Sequence, residues 1–398
     1  MFAGKKARAV LFPALDMKAI NISRQTGRGV SIADISKGEL TETSLTLRPG
    51  NGASSSMIAK AVRALKKRGA EVVKVDVFGP LNRLNAYADC LSRAFGGLVW
   101  PVTLVGTGPG PGAGIQIHAV SGVPVETVFL DTKPVARVYE DKFAKYCVVG
   151  NVLPSKPGGP RKAQALDAFK TLEKALAAAG MAMPDIVRTW FYLDDILSWY
   201  GGFNSVRSEF FKKRHLAGRS APASTGVEGG NPARAALVVS ALAVRPKARG
   251  AEVRALPSPL QGPAPDYGSL FSRAAEISTP ACRSLFISGT ASIEAGGKTV
   301  HAGDADAQIA FTMKVVEALL SSRGMDHSDV TRAIAYFRNA RDIPAYERYC
   351  ERAGGPALRP LLLQSVICRD DLLFEIEVDA VSRKSLINKR AGRSRGSL

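Results

Sequence analysis

The 398-residue chain has no apolar run near the ~18 residues that a membrane-spanning helix needs. Its opening stretch, MFAGKKARAVLFPALD, is basic, but the apolar part is short and lacks a small-residue cleavage site. Neither a signal peptide nor a transit peptide is read there, and the cytoplasm is the expected compartment. Cysteine is scarce: Cys90, Cys147, Cys282, Cys350 and Cys368 are odd in number, widely spaced and form no CxxC. That argues against a disulfide framework and against a zinc site. The four histidines (His118, His215, His301 and His327) include no HxH or HxxxH pair, so no metal is expected. The glycine-rich stretch GTGPGPGAG (106–114) lacks the Lys-Ser/Thr of a phosphate-binding loop and precedes a strand, which makes it a plain loop. No Ser-His-Asp arrangement is legible, and low-complexity linkers are absent.

What is present is a globular composition, 46% hydrophobic and 22% charged, in a chain long enough for two or three domains. The formal net charge is +19, of which six Lys/Arg and no acid fall in the C-terminal SRKSLINKRAGRSRGSL. A disordered basic tail over 383–398 is expected. The other basic residues are scattered, with no arginine-rich helix and no aromatic RNA-binding signature, which argues against nucleic acid as a partner. A small anionic substrate is compatible with the charge.

One pattern recurs about every 125 residues. Each copy has an amphipathic helix, then a β-rich run (VVKVDVF, IVRTWFYL, VTRAIAYF), a second helix and a closing strand. In the third copy Val315, Leu319 and Leu320 form one apolar stripe. Gly69, Gly180 and Gly324 follow the first helices and are expected to cap them in the left-handed conformation, where glycine has no Cβ to clash. A hairpin should precede each core. In the third copy it is read as SLFISGTASIEAGGKTVHAG, turning at EAGGK, and in the second as ARVYEDKFAKYCVVGNVL, turning at EDK. The first copy is least regular over its opening ~50 residues. The order β-β-α-β-α-β predicts an α+β fold with both helices on one face of each sheet. The expected units are 1–122, 123–245 and 246–382.

The third copy carries LFISGTASI, GKTVHAGD and the closing DLLFEIEVDAV, which resemble the hairpin, first-helix and last-strand motifs of the Rid family. Rid proteins are trimers with a site at each subunit interface, so three fused copies imply an intramolecular pseudo-trimer, monomeric or weakly oligomeric. Within that group the ordered set Arg188–Tyr192, Pro222–Gly226, Leu285–Ala291, Thr299–Asp304 and Asp371–Glu377 resembles the chorismatases over roughly the last two thirds of the chain. That resemblance implies cofactor-free hydrolysis of the enolpyruvyl ether of chorismate or a related carboxylated ring compound.

The resemblance also implies roles for individual residues. Glu375 is the expected general acid, since burial raises a carboxyl pKa toward neutrality. Cys368, seven residues earlier, matches a cysteine of the chorismatases that make 3-hydroxybenzoate and is the second expected catalytic residue; a small buried hydrophobe is the alternative. Arg207, Arg188, Tyr146 and Gly229 are expected to bind substrate. The arginine expected just upstream of Tyr146 is missing, leaving Lys142 or Lys145, and TGVEGGNPA departs from the family pattern around Gly229. The closing strands of the other copies, AGIQIHAV and AALVVSALAV, carry no acid, so one site is expected among three interfaces. Two alternatives remain. One is the Rid imine/enamine deaminase, for which Arg359 would hold a carboxylate. The other is a non-catalytic Rid-fold protein that binds a small ligand or RNA.

Overall fold

The computed structural model describes residues 20–27, 29–48, 54–108, 114–216, 221–353 and 358–383. The N-terminal stretch 1–19, the centre of the glycine-rich loop and the basic tail from 384 lie outside the described residues.

Three six-stranded sheets follow one another along the chain. The first comprises β1 (Asn21–Gly27), β2 (Val30–Lys37), β3 (Leu40–Leu47), β4 (Glu71–Gly79), β5 (Val102–Gly106) and β6 (Gly114–Ser121). The second comprises β7 (Glu126–Leu130), β8 (Lys133–Glu140), β9 (Ala144–Val152), β10 (Ile186–Leu193), β11 (Ala223–Glu228) and β12 (Leu237–Pro246). The third comprises β13 (Glu252–Leu256), β14 (Ala274–Ser278), β15 (Cys282–Ala291), β16 (Val330–Phe337), β17 (Leu361–Gln364) and β18 (Phe374–Arg383). The spatial order is the same in all three: β1-β2-β3-β6-β4-β5, β7-β8-β9-β12-β10-β11 and β13-β14-β15-β18-β16-β17. Each sheet therefore has two strands more than the four expected: an outer leading strand, and a short strand parallel to β4, β10 or β16.

Two helices accompany each sheet: α1 (Ser54–Lys67) and α2 (Leu84–Phe95), α3 (Arg161–Ala178) and α4 (Ile196–Lys212), α5 (Ala305–Ser321) and α6 (Ile343–Ala353). Gly69, Gly180 and Gly324 have φ of 57°, 66° and 67°, the left-handed caps expected from the sequence. Val315, Leu319 and Leu320 are buried on α5, and Asp304 caps its N-terminus by accepting the Ala307 N–H at 3.0 Å.

The third hairpin differs from the sequence reading. The long hairpin is β14–β15, reversing at residues 279–281, while the EAGGK turn closes only an isolated Ile293–Thr299 bridge. The chain cannot extend that bridge into a strand. His301 (φ 59°) and Gly303 (φ 79°) turn it into α5 within a few residues. The first copy, read as irregular, forms a regular meander of β1, β2 and β3.

Each sheet buries both faces. On one side its apolar residues pack with its own two helices, in three separate clusters. The opposite faces of all three sheets meet in a shared cluster that includes Phe78, Tyr192 and Tyr336. That common centre makes the three units one intramolecular pseudo-trimer, and it places polar residues of the inward faces at the boundaries between units.

Candidate functional site

On β18 the side chains alternate. Phe374, Ile376, Val378 and Ala380 enter the helix-covered core of the third unit, and Glu375, Glu377 and Asp379 occupy the other face. Three carboxylates on one face of a central strand require compensation, because an unpaired buried charge is costly. Glu377, with no exposed surface, has it. Its Oε1 accepts from Arg332 Nη2 at 2.6 Å and from Trp190 Nε1 at 3.1 Å, and its Oε2 accepts from Arg188 Nη2 at 3.0 Å. Burial alone would raise its pKa, but the guanidinium groups of Arg332 and Arg188 hold it below the ordinary carboxylate range.

Glu375 has the opposite environment. It is 5% exposed. Burial pushes its carboxyl up to about 8, the Glu377 charge adds to the rise, and Arg188 opposes it. A β-bulge in β15 between Ile287 and Thr290 makes room for it. The Gly289 N–H in that bulge donates to Thr225 Oγ1 at 3.1 Å, and the same hydroxyl oxygen accepts from Arg188 Nη2 at 2.6 Å.

The Glu375 carboxyl borders a cavity of about 590 Å³ between the second and third units. From the second unit, α4 presents Tyr200, Asn204 and Arg207, spaced to share one helix face, and β11 contributes Ser224 and Gly226. The third unit contributes Arg273, Gly289, Cys368, Arg369 and Glu375. Arg207 is 2% exposed and donates to Asn204 Oδ1 at 2.7 Å; its guanidinium lies over the Phe203 and Phe191 rings at 5.3 and 5.7 Å. Arg273 donates to the Gly262 carbonyl at 3.0 and 2.8 Å, and Arg369 to the Gly297 carbonyl at 2.7 Å. Those bonds are made by the guanidinium groups themselves and hold in place the heads of two arginines that line the same cavity. Burial pushes the Cys368 thiol up to about 12, with Glu375 adding to the rise, so it is a neutral group.

Of the residues singled out from the sequence, the structure brings together Glu375, Cys368 and Arg207. Arg188 stands behind the cavity wall, fully buried against Glu377. The others lie elsewhere. Tyr146 stacks on Tyr139 at 5.0 Å in a separate chamber of about 120 Å³ lined by residues of all three units. Neither candidate replacement for the missing arginine reaches the Glu375 cavity: Lys145 donates to the Ala179 carbonyl, and Lys142 lies over the Phe143 ring. Gly229 is a packing residue, since a Cβ there would stand 2.6 Å from Val105 Cγ1 and 2.9 Å from Tyr192 Cβ. Arg359 is exposed, beside a cleft of about 340 Å³ between the first and third units, where its carbonyl accepts from Arg48.

Sequence reasoning missed Arg273, Arg369, Tyr200 and Gly289. Gly289 sat inside a recognised motif and Arg369 beside Cys368, so both were within reach. Arg273 is brought in from about 100 residues before Glu375 by chain folding, with no local signal.

Strand register relates the three units. Pairing of β4, β10 and β16 with β6, β12 and β18 places Gly114, Val238 and Glu375 at equivalent positions. At Gly114 the space is filled by the Leu361 side chain, and Val238 is buried in the shared core. The acid therefore occurs at one of the three positions.

Residues 154–255 match the family model described as Endoribonuclease L-PSP. The chain is 28% identical over 239 residues to a 3-hydroxybenzoate synthase of Streptomyces hygroscopicus, covering 53% of this chain and 67% of that one. It is 30% identical over 223 residues to a chorismatase of Streptomyces rapamycinicus, covering 50% and 64%. These matches span about two thirds of the relatives' length. A chorismatase crystal structure superposes with a TM-score of 0.60 at 21% identity, covering 78% of this chain and 92% of that one. The chain thus carries an endoribonuclease L-PSP (Rid) domain over residues 154–255 and has the fold of that chorismatase structure.

Proposed function

We propose that the protein is a chorismatase-like enzyme that hydrolyses the enolpyruvyl ether of chorismate or a related carboxylated ring compound, with Glu375 as general acid. The observation that carries this reading is a carboxyl held protonated near neutral pH at the edge of a cavity lined by Arg207, Arg273 and Arg369. The curated relatives named chorismatase and 3-hydroxybenzoate synthase support it.

The chemistry follows from those groups. Glu375 delivers its proton to the terminal methylene carbon of the enol ether, which becomes a methyl group and leaves an oxocarbenium ion at the adjacent carbon. Water adds to that carbon and loses a proton. The resulting hemiketal breaks the bond between that carbon and the ether oxygen; the hemiketal hydroxyl proton passes to that oxygen, releasing pyruvate and a ring alcohol, and the proton lost by the water returns to Glu375. A general acid works best with a pKa near the working pH, which an ordinary exposed glutamate lacks. Arginine forks suit the carboxylates of such a substrate. Cys368, as a neutral thiol on the same wall, is a contact for the ring rather than an ionised nucleophile.

Arg359, on which an imine deaminase would depend, lies in the cleft between the first and third units, away from Glu375. The deciding experiment is incubation of the purified protein with chorismate and assay of pyruvate. Pyruvate release by wild type and its loss in Glu375→Gln are expected. No pyruvate above background, or undiminished release by Glu375→Gln, would overturn the proposal.

A further inference from the structure

The strand register that relates the three units also relates three cations. In β4, β10 and β16 a bulge falls at the same place, and the next paired residue is Lys74, Arg188 or Arg332. All three converge on one indole: Lys74 Nζ lies 4.4 Å from the Trp190 ring centroid, the Arg188 guanidinium 5.0 Å and the Arg332 guanidinium 5.6 Å. Three cations around one buried ring repel each other unless anions stand among them. Lys74 is paired with Asp76 at 2.9 Å, and Arg332 is shared with Asp379 at 3.2 Å. For Arg188 the ion-pair partner is Glu377. The positions equivalent to Glu377 in the other units are Gln116 and Ser240, both neutral. Glu377 and Glu375 thus occur in the same unit and nowhere else among the equivalent positions.

Arg188 is the cation that opposes the proton on Glu375. Fully buried beside an acid, an uncompensated guanidinium would draw that acid into its ionised form. We propose that Glu377 is a positioning residue for Glu375: an anion locked by Arg188, Arg332 and Trp190 that engages Arg188 and leaves Glu375 as the carboxyl that carries the proton. The inference rests on the reading of Glu375 as general acid. Glu377 cannot take that role itself, since it has no exposed surface and both its oxygens are hydrogen-bonded. The other groups that bear on Glu377 are Tyr336 and Tyr192, held neutral by burial, and Thr225 and Asp379. Those that face Glu375 are Tyr336, Tyr200 and Cys368, also neutral, and the arginines across the cavity.

The test compares wild type, Glu375→Gln and Glu377→Gln by infrared titration of the protonated carboxyl stretch and by the pH profile of pyruvate release from chorismate. Near-ultraviolet dichroism checks the fold. The band assigned to Glu375, present in wild type and absent from Glu375→Gln, should shift its midpoint down by about 1–3 pH units in Glu377→Gln. The alkaline limb of kcat should move by the same amount, with activity returning toward wild type at lower pH. A residue that merely held the fold would lower the rate at every pH and leave the limb in place, which would overturn the proposal. So would an unshifted midpoint, or a wild-type band that survives in Glu375→Gln. If Glu377→Gln does not fold, Arg188→Gln should move the midpoint upward, and a downward or absent shift overturns the idea. A wild type that releases no pyruvate yet shows these infrared shifts would sink the catalytic reading and support the pairing of Glu377 with Arg188.

Discussion

Glu375 and Gly289 share one space: a Cβ built on Gly289 would stand 2.0 Å from Glu375 Oε1. No heavy atom tolerates that approach, so the acid keeps its position only while residue 289 has no side chain. Gly289→Ala should push the carboxyl out of place and lower kcat for pyruvate release at least tenfold. Overpacking of this kind costs about 1–3 kcal/mol of stability. Denaturant titration alongside kcat would separate the two effects, and a variant with unchanged kcat would contradict the placement of the acid.

The pH dependence follows from the raised Glu375 pKa. The carboxyl must be protonated to act, so activity should be highest below about 8 and fall as pH rises through that value. Stability moves the same way. The folded state binds this proton more tightly than the unfolded chain does, so its contribution is complete below about 4.5 and is lost as pH rises through about 8. Glu375→Gln should therefore gain stability relative to wild type between pH 5 and pH 9, on the order of a few kcal/mol. Parallel thermal or chemical unfolding curves at the two pH values would measure it, and an unchanged difference would contradict the raised pKa.

Arg207 is the buried cation of the α4 side of the cavity. If it holds a substrate carboxylate, Arg207→Lys should raise KM by about 10-fold or more, because an ammonium replaces a fork with a point charge. An unchanged KM would remove it from the binding site.

The Cys368 thiol, pushed up to about 12, has almost no thiolate at pH 8. Labelling by a disulfide reagent followed by peptide mapping should find Cys368 unmodified in the folded protein and modified after denaturation. Rapid labelling in the folded state would contradict the raised pKa of this thiol.

Much of the architecture was legible along the chain because its determinants are local. The glycines at 69, 180 and 324 marked helix ends through their backbone freedom, and the apolar stripe of α5 marked its buried face. Glu375 stood out for the same kind of reason, an acid in a strand otherwise fit for a core. The EAGGK turn misled, since two glycines specify a reversal without specifying whether the chain beyond it pairs.

The amino-acid order alone determined three repeated α+β units and a closing strand whose acids, Glu375 and Glu377, have no counterparts in the other two. Only the tertiary structure decided which side chains surround Glu375. It brought Arg207, Arg273 and Arg369 to one cavity, and it sent Tyr146, Gly229 and Arg359 elsewhere. The physical reason is range. Caps and stripes depend on neighbours within a few residues, whereas the charge state of Glu375 depends on Arg188 and Glu377, and Arg188 comes from another unit 187 residues away.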